Sequence, residues 1–270
     1  MTAPNTSYII CATPRCGSHL LAEALQTTGI AGKPDEYFHT NKYGQLQNEA
    51  GNIAEIYGKK SLEAFRELVW ELGSSPNGVF GIILHWNYLH HVVNNYQSLP
   101  QYQNLNVAEL FDAIFHHPKY IWIQRRDKVH QAISWIKASQ TGVWIQSKNA
   151  KSKPKQAKEL AYDYFKIDLH YNFFVESEKA WADFFAAHQI EPFIVIYEDL
   201  VEKYEQTRLD LLDFLQISYD DTTAFAERKL QKQGDSLNEI WAQKYRQQKS
   251  SYVHRGWRFL RYLRFKLLPF

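Results

Sequence analysis

At 270 residues, 45% of them hydrophobic, the chain is long enough to bury a substantial core, and one domain over 1–270 is the expectation. Its 31 basic and 29 acidic side chains leave a formal net charge of +2, which excludes a global field drawing it to nucleic acid and confines any anion site to local residues. Only two cysteines, Cys11 and Cys16, are present, which argues against a disulfide framework or a zinc site and for a reducing, cytoplasmic setting with no metal.

The start, Met1-Thr2-Ala3-Pro4-Asn5, lacks the pattern of a secretory signal. The first element follows at once. An apolar run, Tyr8-Ile9-Ile10-Cys11-Ala12, leads through Thr13-Pro14-Arg15-Cys16-Gly17-Ser18-His19 into Leu20-Leu21-Ala22-Glu23-Ala24-Leu25, the pattern of strand, loop and helix. A helix start exposes unpaired N–H groups and the positive end of the helix dipole, so such a loop suits an anion. The spacing is not that of the nucleoside triphosphatase loop G-x-x-x-x-G-K-[ST], because the opening glycine and the lysine are missing. Arg15 is the one cation of the loop, which argues against a triphosphate with its magnesium.

Three more strands are expected at Val79–Leu84, Lys119–Gln124 and Phe193–Tyr197, with helices at His19–Thr28, Leu62–Leu72, Asp127–Thr141, Gln156–His188 and Leu209–Leu215. No apolar run reaches membrane-spanning length; Val79 to Leu89 is broken by His85 and Asn87. Short apolar runs separated by helices give an α/β fold, three-layered, with a mostly parallel central sheet and a P-loop-like anion loop. Within Gln156–His188, Tyr164, Leu169, Phe173, Phe174, Trp181 and Phe184 recur at roughly helical spacing and read as a core stripe. Lys148–Lys158, lysine-rich with Pro154, reads as an exposed loop.

The third strand runs directly into Arg125-Arg126-Asp127 and a helix carrying Ser134. Arginines at the carboxyl end of a buried parallel strand stand where open α/β sheets bind ligands. Their rigid fork of donors suits phosphate, and a serine hydroxyl can assist. Two anion sites imply a ligand with two separated anionic groups.

These segments carry a resemblance. Thr13-Pro14-Arg15-Cys16-Gly17-Ser18 resembles the phosphosulfate-binding loop of sulfotransferases, Arg125-Arg126 with Ser134 resembles their 3′-phosphate-binding motif, and Tyr197-Glu198-Asp199-Leu200 resembles the tetrapeptide that ends a late core strand. Gly32 to Phe38, Pro76 to Gly81, Trp86-Asn87, Gln131 to Trp135, Gln140 to Trp144, and Trp241 with Lys244-Tyr245-Arg246 are similar to the bacterial trehalose 2-sulfotransferase family. The resemblance runs from about Tyr8 to Arg246 and implies the sulfotransferase/nucleotide-kinase-like fold. It implies transfer of a sulfuryl group from 3′-phosphoadenosine 5′-phosphosulfate to a hydroxyl of a carbohydrate or glycolipid, with no metal and 3′-phosphoadenosine 5′-phosphate as the product.

By that resemblance Glu36 is the general base and Arg15 stabilises the leaving phosphate. Thr13, Pro14, Arg15, Cys16, Gly17, Ser18, His19, Arg125, Arg126 and Ser134 hold the donor, and Glu36, Tyr37, Phe38, Trp86 and Trp144 meet the acceptor. The apolar wall of Tyr37 and Phe38 is expected to raise the pKa of Glu36 towards neutrality. His39 and His85 are rival bases. Ile83 departs from a position where the family can carry lysine, and the tract from Thr40 to Glu55 has no placeable similarity. The family also suggests a homodimer. The tail, 254–270, interleaves Arg255, Arg258, Arg261, Arg264 and Lys266 with aromatic and aliphatic residues, which suits either packing on protein or peripheral contact with the inner face of a membrane. Two other readings stand beside the transferase: a P-loop-type kinase, with Phe193 to Asp199 as strand and terminal acid, and a catalytically inert nucleotide-binding protein at a membrane.

Overall fold

The computed structural model describes residues 3–39, 61–144, 160–220, 225–228, 230 and 234–251. The Thr40 to Glu55 tract, the Lys148–Lys158 loop and the 254–270 tail lie outside the described residues. The chain gathers into two compact units, Met1–Arg126 with Glu176–Lys229, and Asp127–Val175 with Leu230–Phe270.

The first unit is built on β1 (Thr6–Ala12), β2 (Val79–His85), β3 (Lys119–Gln124) and β4 (Phe193–Ile196). They form a parallel sheet in the order β2-β1-β3-β4. In register, Ile9 stands beside Ile82 and Tyr120, and Cys11 beside Leu84 and Trp122. All seven residues of β2 and all but the first of β1 are buried, as near-continuous apolar runs in a sheet covered on both faces require.

Helices flank this sheet. Ile9, Cys11, Phe80, Ile82, Leu84 and Tyr120 alternate onto one face and join one core with α2 (Leu62–Gly73), α3 (Trp86–Gln97) and α4 (Val107–Phe115). Trp181, Phe184 and Phe185 complete that core from the second half of a long helix. The other face carries Tyr8, Ile10, Ile83 and Ile121, all fully buried. α1 (Ser18–Gln26) lies against β1 and against α8 (Tyr204–Leu215), which in turn meets β4. Ser61 and Asn106 cap α2 and α4 with side-chain oxygens, Asn106 within a reciprocal capping box with Glu109.

The second unit comprises α5 (Lys128–Thr141), the first half of α6 (Tyr164–Ala187) and α9 (Ser236–Ser250). Val129, Ala132, Ile133, Ile136, Ile167, Phe174, Trp241, Ala242 and Tyr245 form its core. Asp127, whose side chain accepts from the His130 N–H, caps α5 instead of opening it. The Tyr245 hydroxyl donates to buried Asp168 at 2.7 Å.

Some expected elements shift. Phe174, Trp181 and Phe184 are buried, whereas Leu169 is 39% exposed, so the expected stripe along α6 is broken. Tyr197-Glu198-Asp199-Leu200 does not end β4 but opens the short helix α7 (Tyr197–Glu202). α3, α4 and α9 were not anticipated. In α3, Tyr88, Leu89, Val92 and Tyr96 form a buried helical face, but His90, His91, Asn94 and Asn95 dilute the signal.

Candidate active site

The strand order reverses direction beside β1: the chain goes from β1 out to β2, then returns past β1 to β3 and β4. Such a switch point opens a crevice at the carboxyl ends of the neighbouring strands. The segments that leave β1 and β3 there are Thr13 to Ser18 and Arg125-Arg126.

The first of these is a tight loop. The Cys16 N–H donates to the Thr13 carbonyl at 3.2 Å, and Arg15 (φ 65°) and Gly17 (φ 101°) both take left-handed backbone conformations. Gly17 stands at the N-cap of α1, which has no side-chain cap, so the positive end of the helix lies at the loop. A Cβ on Gly17 would fall 2.3 Å from Cδ2 of Tyr197. Thr13, Cys16 and Ser18 are buried, which makes the loop part of the core surface.

Arg125 reaches this loop. Its Nη1 donates to the Arg15 carbonyl at 3.1 Å, and its guanidinium lies 4.7 Å from the Tyr197 ring centroid. Burial, and then the nearby charge of Arg125, lower the Arg15 guanidinium to about 10, still protonated at neutral pH. The charge of Arg125 disfavours that of Arg15, a strain that a bound anion would relieve.

Glu36 is carried by a segment pinned along the outer edge of β2. The Lys33 N–H donates to the Gly73 carbonyl at 2.7 Å, the Ile83 N–H to the Asp35 carbonyl at 3.0 Å, and the His39 N–H to the Glu36 carbonyl at 3.0 Å. The Tyr37 hydroxyl closes back on the Lys33 carbonyl at 2.7 Å. The exposed edge of the sheet is thereby covered, and Glu36 is held against α1 and the end of β2.

Three histidines surround its carboxylate. His19 Nε2 lies 2.9 Å and His85 Nε2 3.4 Å from Oε1, while His39 Nδ1 is 3.9 Å from Oε2. His85 Nε2 also lies 3.4 Å from the Ser18 hydroxyl, and the His85 ring stacks on Tyr88. Burial pushes Glu36 up, but the histidine charges and the hydrogen bond with His19 more than offset it and hold it at about 2. Burial holds His85 down at about 4, so it is uncharged at neutral pH, while His19 keeps the shortest contact with the carboxylate. The expected rise in the Glu36 pKa is therefore corrected: polar partners outweigh the apolar wall.

The profile of the Stf0 sulphotransferase family matches residues 7–248. The chain belongs to this family. It is 27% identical over 261 residues to a trehalose 2-sulfotransferase of Mycolicibacterium smegmatis, covering 89% of this chain and 94% of that one. A trehalose 2-sulfotransferase of Mycobacterium tuberculosis is 28% identical over 257 residues, covering 88% and 94%. A sulfotransferase domain from the curacin biosynthetic pathway matches at 17% identity and a TM-score of 0.46, over 88% of this chain and 83% of that domain.

For this member of the Stf0 family, the first unit brings together Thr13 to His19, Glu36 and Arg125. Arg126 points elsewhere: its backbone N–H donates to Glu198 at 3.0 Å and its side chain forks onto Asp199. Phe38 is buried against Phe65 and Phe115, edge-on at 5.2 and 5.8 Å. Trp86 packs on Trp181, whose indole N–H donates to the Ala12 carbonyl at 2.9 Å and so caps β1. Ser134 and Trp144 belong to the second unit, where Trp144 meets Trp135 at 4.9 Å. Two contributors were missed in the sequence. The sequence places His19 only in the loop and Tyr197 only in a motif; nothing in their local pattern announces contacts with Glu36 or Gly17.

Among the described residues no group of His, Cys, Asp and Glu could hold a metal ion, and no helix is long and apolar enough to cross a membrane.

Proposed function

We propose that the chain transfers a sulfuryl group from 3′-phosphoadenosine 5′-phosphosulfate to a hydroxyl of a carbohydrate, a trehalose-like sugar or a glycolipid bearing one. The observation that carries the reading is an ionised carboxylate beside an anion loop: Glu36 ion-pairs with His19, the second residue of α1, and influences the charge of Arg15. A carboxylate there repels phosphate. Its place is understandable if it faces an acceptor hydroxyl.

The donor fits the loop. When bound it supplies the sulfuryl group and, as 3′-phosphoadenosine 5′-phosphate, the leaving group. In this reading the N–H groups around Cys16, Gly17 and Ser18 and the Arg15 guanidinium hold its phosphosulfate end, and Arg15 neutralises charge that develops on the departing phosphate. By family resemblance the Arg125-Arg126 pair and Ser134 are assigned to the 3′-phosphate, and Arg125 also braces the loop. Glu36 accepts the hydroxyl proton as the oxygen attacks sulfur, and Tyr37, Trp86 and Trp144 are proposed to shape the acceptor site. The trehalose 2-sulfotransferase relatives support a sugar acceptor. The kinase reading is less favoured, because Asp199 leaves β4 for α7 and is engaged by Arg126 instead of standing at a strand end for magnesium.

The test is transfer of label from sulfur-labelled donor to a panel headed by trehalose and its glycolipids, beside magnesium and ATP as a rival donor. Labelled sugar is expected. ATP consumption without sulfated product would overturn the assignment.

A further inference from the structure

The Glu36 carboxylate is not symmetric. Oε1 takes both close imidazole nitrogens, His19 Nε2 at 2.9 Å and His85 Nε2 at 3.4 Å. Oε2 faces His39 Nδ1 at 3.9 Å, beyond hydrogen-bonding distance. His85 is 6% exposed and stacked on Tyr88, whereas the side chain of His19 is 35% exposed. Its position is also fixed by its helix: as the second residue of α1 it follows directly on the anion loop. One imidazole thus joins the loop that holds the leaving group to the carboxylate proposed to take the acceptor proton.

We propose that His19 is a positioning residue for Glu36, orienting the carboxylate so that Oε2 receives the acceptor proton and setting by its own charge how readily Oε2 does so. This deepens the sulfuryl-transfer reading and rests on it. The step balances simply: the acceptor oxygen bonds to sulfur, the bond from sulfur to the phosphate oxygen breaks with its electron pair, and the hydroxyl proton moves to Oε2 of Glu36. His19 keeps its Nε2–H throughout as the donor to Oε1. When His19 is cationic the ion pair makes Glu36 a poor proton acceptor; when His19 is neutral the same hydrogen bond persists and the carboxylate is more basic. The charged and titratable groups facing the pair are Arg15 from the loop, His85 and Tyr88 from the end of β2 and the start of α3, and His39 beyond Glu36. Burial keeps His85 uncharged above about pH 4, so its ring does not change charge near neutrality.

Two measurements decide it, both on the full chain. In the first, kcat for sulfuryl transfer to trehalose from saturating labelled donor is followed from pH 5.5 to 8.5 for the parent, His19→Gln and His19→Ala. The parent is expected to rise about tenfold across the histidine range, as a Brønsted response to the stronger base. His19→Gln, which keeps an N–H donor that cannot titrate, should lose that rise. His19→Ala should fall about ten- to a hundredfold in kcat with little change in KM, since the carboxylate is no longer oriented. A parent-like pH profile in both variants would overturn the inference while leaving sulfuryl transfer intact. The second measurement needs no turnover. Nitrogen-15 spectra of labelled histidine should show the His19 titration midpoint falling by about one pH unit or more in Glu36→Gln. An unmoved midpoint would refute the pairing, whereas a moved midpoint in a parent that sulfates no sugar would keep the pairing and overturn the transferase reading.

Discussion

Replacing Gly17 by alanine isolates the fit between the anion loop and its backing ring. At φ 101° an alanine incurs the left-handed penalty, about 1–2 kcal/mol, whatever surrounds it. Its Cβ would also stand 2.3 Å from Cδ2 of Tyr197, a ring that the Arg125 guanidinium covers at 4.7 Å, and displacing a packed ring costs about 1–3 kcal/mol more. The expected loss is about 2–5 kcal/mol. Gly29 supplies the control, because its φ is 72° but nothing lies within 4 Å of an added Cβ, so Gly29→Ala should cost only about 1–2 kcal/mol. Urea unfolding followed by tryptophan fluorescence and circular dichroism measures both. Making Gly17→Ala in a Tyr197→Ala background should return about 1–3 kcal/mol of coupling, since the clashing ring is gone. Affinity for 3′-phosphoadenosine 5′-phosphate, read by calorimetry, should fall at least about tenfold in Gly17→Ala, as displaced loop donors require, and hold in Gly29→Ala. Equal stability and equal affinity of the two single variants would refute the argument that Tyr197 shapes this loop.

Phe38→Ala should destabilise by about 3–5 kcal/mol in the same unfolding assay, because the ring is buried edge-on between Phe65 and Phe115. Stability should also decline on acidification in two stages. Unfolded His85 takes up a proton near its ordinary pKa of about 6.5 and folded His85 only near about 4, so its contribution is complete above about 6.5 and is lost as pH falls towards 4, by roughly 3 kcal/mol. Glu36, held at about 2, adds a further loss as pH falls from about 4.5 towards 2, since the unfolded carboxyl protonates first. Urea midpoints at pH 7, 5.5 and 4.5 test the first stage, and His85→Asn should flatten it.

The sheet was legible because its strands are apolar runs with no competing period: β3 falls on Lys119–Gln124 as expected, and β1 and β2 differ from expectation only at their ends. The long helix was legible in part. Of its expected span from Gln156, positions 156–159 lie outside the described residues and 160–163 are not helical, so the helix opens at Tyr164; its end falls at Ala187 beside the expected His188. The turn from β1 into α1 was legible because glycine, proline and hydroxyl residues between a strand and a helix leave few alternatives. The state of Glu36 was not. Its adjacent residues, Tyr37 and Phe38, suggested an apolar setting, but Phe38 turns into the core and the partners of the carboxylate come from α1 and the end of β2. Proximity across 17 to 49 positions of chain is set by the pinning of the 33–39 segment to β2, which no local pattern encodes. Arg125 and Arg126, adjacent and chemically identical, were likewise separated only by tertiary contacts: one braces the loop, the other grips Asp199.

The central claim is that Glu36 receives the acceptor proton during sulfuryl transfer. It is tested most directly by single-turnover transfer from enzyme-bound labelled donor to trehalose in the parent and in Glu36→Gln, with donor affinity measured alongside. The amide keeps the shape and cannot take the proton, so transfer should slow by about a hundred- to ten-thousandfold while the donor binds as before. Transfer at the parental rate in Glu36→Gln, with labelled sugar as product, would contradict the account.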